Sequence, residues 1–149
     1  IKEGHMKRFK FRFSAVKNQR QVILDQKLAK KAKVLAELNQ AYAEKEHLQN
    51  LYQQTLHGGA QVGQLFNAQE ETWRQLRLFS LREEIQTADR KISQLEEKLA
   101  EIQEEVTEAH RDLKAMEVIE KKDKKNWQHE FKVHQQKETD EINTTRFGR

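Results

Sequence analysis

From Ile85 to Met116 the chain places an apolar residue at alternating steps of three and four without a miss: Ile85, Ala88, Ile92, Leu95, Leu99, Ile102, Val106, Ala109, Leu113 and Met116. An α-helix turns once every ~3.6 residues, so this spacing gathers all of them on one narrow stripe. Such a stripe is the seam of a coiled coil, and it does not fit a strand, whose side chains alternate faces at every residue. The rest of the sequence is consistent with long helices. There is no proline in 149 residues, and only 36% are hydrophobic. With a mean hydropathy of −1.03, a thick globular core is out of reach. Disorder is the other class open to so polar a chain. The recurring Leu, Ile, Val and Phe and the mixture of both charge signs argue against it.

Three of the five glycines, Gly58, Gly59 and Gly63, fall between two long stretches that hold neither glycine nor proline. Before this break, Val16, Leu24, Leu28, Ala32, Leu35, Leu38, Tyr42, Leu48, Leu51 and Leu56 recur mostly at intervals of three and four. The expected fold is all-α: two long helices in an antiparallel coiled-coil hairpin, the C-terminal helix longer and overhanging. Arm one is expected over about 10–56, the turn over 57–63 and arm two over about 64–145. Ile1–His5, ahead of Met6, reads as a cloning remnant, which leaves 6–149 as one coiled-coil hairpin.

Charge gives a separate argument for the pairing. Met6–Leu38 holds ten Lys/Arg against Asp25 and Glu37, net +8, and Glu83–Glu108 holds nine acids against Arg90, Lys91 and Lys98, net −6. A fold point near residue 60 sets residue i opposite about 121 − i, so 17–38 lies beside 83–104. Exposed ion pairs contribute only about 0.2–1 kcal/mol each, so they select orientation more than they stabilise. On this register the first arm runs out near residue 10, opposite about 111, and leaves Lys114–Arg149 unpaired. At ~1.5 Å per residue that overhang would extend ~50 Å. Trp127 and Phe131 would stand on it without a partner inside the chain.

Little in the sequence points to chemistry. There is no cysteine, which removes a thiolate nucleophile and a cysteine metal site. His129 and His134 are five apart, not the i, i+4 pair that shares a helix face, so no metal site is expected. Gly58-Gly59-Ala60-Gln61-Val62-Gly63 lacks the Lys-Ser/Thr of a phosphate loop and reads as a turn. Glu96-Glu97 and Glu104-Glu105 fall on solvated helix faces, with no pocket to shift them toward acid/base work. The chain is expected to be no enzyme and to take no cofactor. No apolar stretch approaches the ~20 residues of a membrane span, so a soluble protein is expected. The net charge of +4 sits on a mixed surface and says little about partners.

Two aromatic concentrations remain. Lys7-Arg8-Phe9-Lys10-Phe11-Arg12-Phe13-Ser14 alternates basic and aromatic residues. Read as helix, it puts Phe9, Phe13 and Val16 on one face, where they either close the open end of the coiled coil against Leu113 and Met116 or meet a protein partner. Near the turn, Tyr52, Leu56, Phe66, Trp73, Leu76 and Phe79 gather. The second-arm seam traced backwards passes through Leu78 and Leu81 and misses Trp73 and Leu76, so part of this group should face outward as a docking surface.

Phe-x-Phe-x-Phe-x-x-Val (Phe9, Phe11, Phe13, Val16), a basic first helix, a small glycine-containing turn, a heptad helix and a Gln135–Arg149 ending of the form Gln-x-Lys-Glu-x-Asp-Glu-x-x-x-x-Arg-Phe-x-Arg together resemble the FliJ family. That family is the small coiled-coil component of the bacterial flagellar type III export apparatus, and the YscO-like injectisome proteins are its relatives. The resemblance implies a non-catalytic stalk similar to the gamma subunit of rotary ATP synthases, its open end inside the hexameric export ATPase, FliI-like. Phe9, Phe11, Phe13, Trp127, Phe131, Lys137 and Arg146 would contact that ATPase. It also implies contact with the cytoplasmic domain of the export gate, FlhA-like, through Leu48, Tyr52 and Leu56, with Trp73, Leu76, Phe79 and Leu81 on the other arm. Lys45 and Leu48 depart from the aliphatic and aromatic residues more usual there. Export chaperones are further implied partners, and the implied location is cytoplasmic, peripheral to the inner membrane through the gate. An injectisome stalk is the nearest alternative. A scaffolding coiled coil would want an unbroken parallel heptad, which the glycines interrupt. A nucleic-acid binder using residues 6–33 would show steep salt dependence.

Overall fold

Asn67 opens the second helix. Its Oδ1 accepts from the backbone N–H groups of Gln69 at 3.0 Å and Glu70 at 3.3 Å, and Glu70 and Glu71 set negative charge in the first turn. From there α2 runs Ala68–Phe147, preceded by α1, Ser14–His57. The computed structural model describes residues 8–59 and 61–148. Ile1–His5 and Met6 at the start, and Arg149 of the C-terminal motif, lie outside the described residues. The two helices pack antiparallel as an all-α hairpin, and the chain divides into two compact units, Lys27–Glu105 and the residues up to Gln26 with those from Val106.

In the Lys27–Glu105 unit, Val34, Leu38 and Ala41 of α1 are buried, as are Leu78, Leu81, Ala88, Ile92 and Leu95 of α2. Leu78 and Leu81 lie on the seam as traced backwards from the second arm, Leu81 at 0% exposure, so Leu81 is not part of the outward surface with which the family resemblance also grouped it. The α2 stripe lies where the sequence put it. On α1 the stripe is different: Leu28, Leu35 and Tyr42 remain 40%, 37% and 44% exposed. The facing positions are Lys27, Lys31, Val34, Leu38, Ala41, Lys45 and Leu48, each buried or half-buried. Lysine can occupy a seam because its four-carbon stem lies along apolar surface while the ammonium reaches the edge. Lys27 there meets Glu105 at 3.0 Å and Lys45 meets Asp89 at 2.5 Å.

These pairs also fix the register. Facing residue numbers add to about 132–138, from Lys27 with Glu105, Lys45 with Asp89, Tyr52 with Arg82 and Tyr42 with Glu96. The expected sum was about 121. The difference arises at the connector, where the first turns of α2 run past the end of α1 before pairing begins. Arg74, not a residue near 65, meets that end: its Nη1 donates to the Leu56 carbonyl at 3.1 Å.

In the other unit, Phe11 and Leu24 are buried, as are Val106, Ala109 and Leu113. Arg12 pairs with Asp123 at 3.2 Å and Lys17 with Glu120 at 2.5 Å, and Arg20 donates to the Asp112 carbonyl at 2.8 Å. Pairing therefore continues well past 111. The unpaired part of α2 starts beyond Phe131, not at Lys114, and is about 24 Å long at ~1.5 Å per residue.

The connector is fastened by one arginine. Besides the Leu56 carbonyl, Arg74 donates from Nε to Glu71 at 2.9 Å, with a second, shorter bond from Nη2 to the same carboxylate, and Gln75 donates to it at 3.1 Å. A Cβ at Gly59 would come within 3.2 Å of the Arg74 guanidinium carbon, so a larger residue there would crowd the latch. Gly63, at φ +93°, takes the left-handed conformation that glycine adopts at least cost.

Two predictions follow from this packing. Leu81→Ala removes a fully buried side chain and should cost about 2–5 kcal/mol in urea unfolding, against under about 0.5 kcal/mol for exposed Leu76→Ala; equal costs would contradict the seam. The hydrogen bonds from Arg74 and then Gln75 hold the Glu71 carboxyl down, from 4.5 to about 2. A depressed carboxyl stabilises the fold above its ordinary value and stops doing so as pH falls through its folded one. Glu71→Gln should therefore melt below the native protein at neutral pH, with the gap closing between pH 4.5 and about 2. A gap that stays constant over that range would count against the latch.

Candidate functional site

The N-terminal aromatic run is not helical before Ser14. Residues 8–11 have no regular structure and 12–13 form a turn, with Phe9 and Arg12 reaching α2 at Trp127 and Asp123. Phe11 turns inward and is 8% exposed, while Phe13 is left outside. This corrects the helical face of Phe9, Phe13 and Val16: Val16 is exposed as well. Phe9 lies against Trp127, ring centroids 6.0 Å apart, and Trp127 lies 5.6 Å from Phe131. Phe11 and Phe13 meet edge to face at 5.8 Å, and the Arg12 guanidinium stands 4.8 Å from the Phe13 ring while holding Asp123.

Five of the residues read as ATPase-facing, Phe9, Phe11, Phe13, Trp127 and Phe131, are thus brought into one region. Trp127 and Phe131, expected to stand alone, find their partner in the chain's own N-terminal segment. Lys137 and Arg146 are not part of the cluster; they lie further along α2, where every described side chain after Phe131 is exposed. An aromatic cluster beside a helix end of mixed charge, Lys132, Lys137 and Arg146 with Glu138, Asp140 and Glu141, can bind a protein surface.

The second surface lies at the connector. Trp73, Leu76 and Phe79 are 65%, 56% and 62% exposed. They occupy the side of α2 opposite the seam residues Leu78 and Leu81, so α1 has no means of covering them. Leu65, Phe66 and Val62 of the connector are exposed too. Of the α1 residues assigned here, Leu56 is exposed, while Leu48 and Tyr52 are half-buried. Arg82 holds Tyr52, donating from Nε to its hydroxyl at 3.2 Å with the guanidinium 5.7 Å from the ring. The sequence reading missed Arg74 and Arg82, which set this surface. The i, i+3 spacing of Glu71 and Arg74 was the available signal for the first; Arg82 is thirty residues from Tyr52 and gave none.

Among the described residues no cluster of His, Asp or Glu is arranged to hold a metal ion, and no helix is long and apolar enough to cross a membrane. No curated protein and no solved structure matches the chain. A family model does: that of the flagellar FliJ protein aligns with residues 9–149, taking in the aromatic run, both helices and the C-terminal end. A match over that extent shows that the chain belongs to the FliJ family, a component of the flagellar type III export apparatus.

Proposed function

We propose that residues 6–149 act as one non-enzymatic stalk that enters the flagellar export ATPase hexamer, promotes its assembly and hydrolysis, and links it to the export gate. The observation that carries this reading is the length of α2 left without a partner. Beyond Phe131 the helix continues to Phe147 with its side chains almost all exposed. An isolated helix of that length is marginal in water and gains from enclosure by another protein. Phe9, Phe11, Phe13, Trp127 and Phe131 form the aromatic base from which it projects, and Lys137 and Arg146 supply charge along it. The surface of Trp73, Leu76 and Phe79, with Leu56 and the half-buried Leu48 and Tyr52, is the contact for the gate's cytoplasmic domain, which keeps the protein cytoplasmic and peripheral to the membrane. Export chaperones complete the set of partners.

The test is the hydrolysis rate and oligomeric state of the cognate export ATPase with and without this protein. Addition should raise the rate and drive ring formation. A chain ending at Phe131 keeps every contact of the aromatic cluster, so it should fold normally and lose the stimulation; full stimulation by it would sink pore insertion. Trp73→Ala and Phe79→Ala should each weaken binding to the isolated gate domain about tenfold, since large exposed aromatics dominate such interfaces, and leave ATPase stimulation intact. Unchanged gate affinity would remove this surface from the reading.

A further inference from the structure

Away from the seam, the outer face of α2 is sorted by charge. In the heptad whose seam runs through Leu99, Ile102 and Val106, positions b, c and f point away from α1. Over 97–108 these positions hold Glu97, Ala100, Glu101, Glu104, Thr107 and Glu108: four acids and no base. Over 111–125 they hold Arg111, Lys114, Lys121, Lys122 and Lys125, with Ala115 and Val118 between: five bases and no acid. All are exposed except the half-buried Thr107. The acids of the second stretch lie on the seam or its flanks, where Glu120 and Asp123 are taken by Lys17 and Arg12.

None of these outer charges enters an ion pair among the described residues. Within each row they repel one another, since Glu97 and Glu101, Glu104 and Glu108, and Lys121 and Lys125 stand at i, i+4. A solvated helix face ordinarily mixes both signs and relieves such repulsion locally. This one carries two rows of opposite sign, each lacking what the other supplies.

We infer that the outer face of α2 pairs antiparallel with the same face of a second copy of the chain, the acidic row of each against the basic row of the other. The spacing fits. With residue i opposite about 222 − i, Glu97 meets Lys125 of the other copy, Glu101 meets Lys121 and Lys122, and Glu108 meets Lys114; the same contacts recur across a two-fold axis at Arg111. Ala100, Thr107 and Ala115, between the charges, are small and let the helices approach. α2 is one helix throughout this span. The next outer positions, Arg90 and Lys132, would face each other with like charge, so the contact ends at 97 and 125. A partner of one sign would match one row and leave the other unmatched, whereas a second copy satisfies both. No residue assigned to the ATPase or the gate takes part. Exposed ion pairs are individually weak, so the association is reversible and salt-sensitive.

Sedimentation of the full chain tests this. At about 10 mM salt, where charges act over ~30 Å, the mass should double, and at about 1 M, where they act over ~3 Å, the chain should be monomeric. Glu97→Lys with Glu101→Lys, and separately Lys121→Glu with Lys125→Glu, all at exposed positions, should keep native helicity and abolish the dimer. Mixed one to one, the two variants should form it again, because each then presents the sign that the other needs. The chain has no cysteine, so Arg111→Cys places a single thiol at the axis; mild oxidation at low salt should link it to its own copy and leave Lys125→Cys unlinked. A monomer at low salt, a dimer indifferent to salt or to the charge reversals, or a mixture that stays monomeric would overturn the proposal. So would a dimer dispersed by Leu35→Asp instead, which would put the contact on α1. Neither the ATPase nor the gate enters the measurement, so its failure and theirs are distinguishable.

Discussion

Register is the constraint on which both candidate surfaces depend. A helical hairpin buries one stripe per helix, and a slip of a single residue rotates a different stripe into the seam. The apolar seam does not specify register strongly by itself, because Leu, Ile, Val and Ala repeat along α2 at every heptad. The charged residues at its edges break that degeneracy. Lys27 with Glu105 and Lys45 with Asp89 in one unit, and Arg12 with Asp123 and Lys17 with Glu120 in the other, are worth little individually at the surface. Their value is that a shifted register would set lysines against the wrong neighbours. In the N-terminal unit, this register is what brings Phe9 opposite Trp127. In the connector unit, it leaves Trp73, Leu76 and Phe79 beyond the reach of α1.

The α2 stripe was legible because every member is apolar, and hydrophobic period is the signal a sequence displays most openly. The α1 stripe was not, because three of its positions are lysines, and a reading that counts apolar residues passes over them to the row Leu28, Leu35, Tyr42. Those three stay 40%, 37% and 44% exposed, because α2 covers the neighbouring row of Val34, Leu38 and Ala41 instead.

The register was misjudged for a different reason. A glycine cluster locates a reversal of the chain, but it does not say how many residues of the second helix are spent before pairing starts. Here Asn67 starts α2 while the chain is still turning, and Arg74 is the first residue to meet the end of α1. The N-terminal motif illustrates a third limit: read as helix, it grouped Phe9, Phe13 and Val16 on one face, whereas the helix begins only at Ser14 and it is Phe11 that is buried, with Phe13 and Val16 exposed.

What distinguishes the surfaces from ordinary exposed apolar residues is that each has been kept off the core by a specific device. Trp73 could not reach the seam without moving Leu78 and Leu81, both almost fully buried, and Arg74 beside it is committed to Glu71 and the Leu56 carbonyl. Leu35 could not reach it without expelling Val34 or Leu38. These residues are therefore not core residues that failed to pack. In a chain with only 36% hydrophobic content, leaving Trp73, Leu76, Phe79, Leu28, Leu35 and Tyr42 outside forgoes a substantial share of the available burial. A hairpin stabilised by a single narrow seam has little stability to spare, so the geometry that holds these residues outside leaves apolar surface uncovered at a real energetic cost.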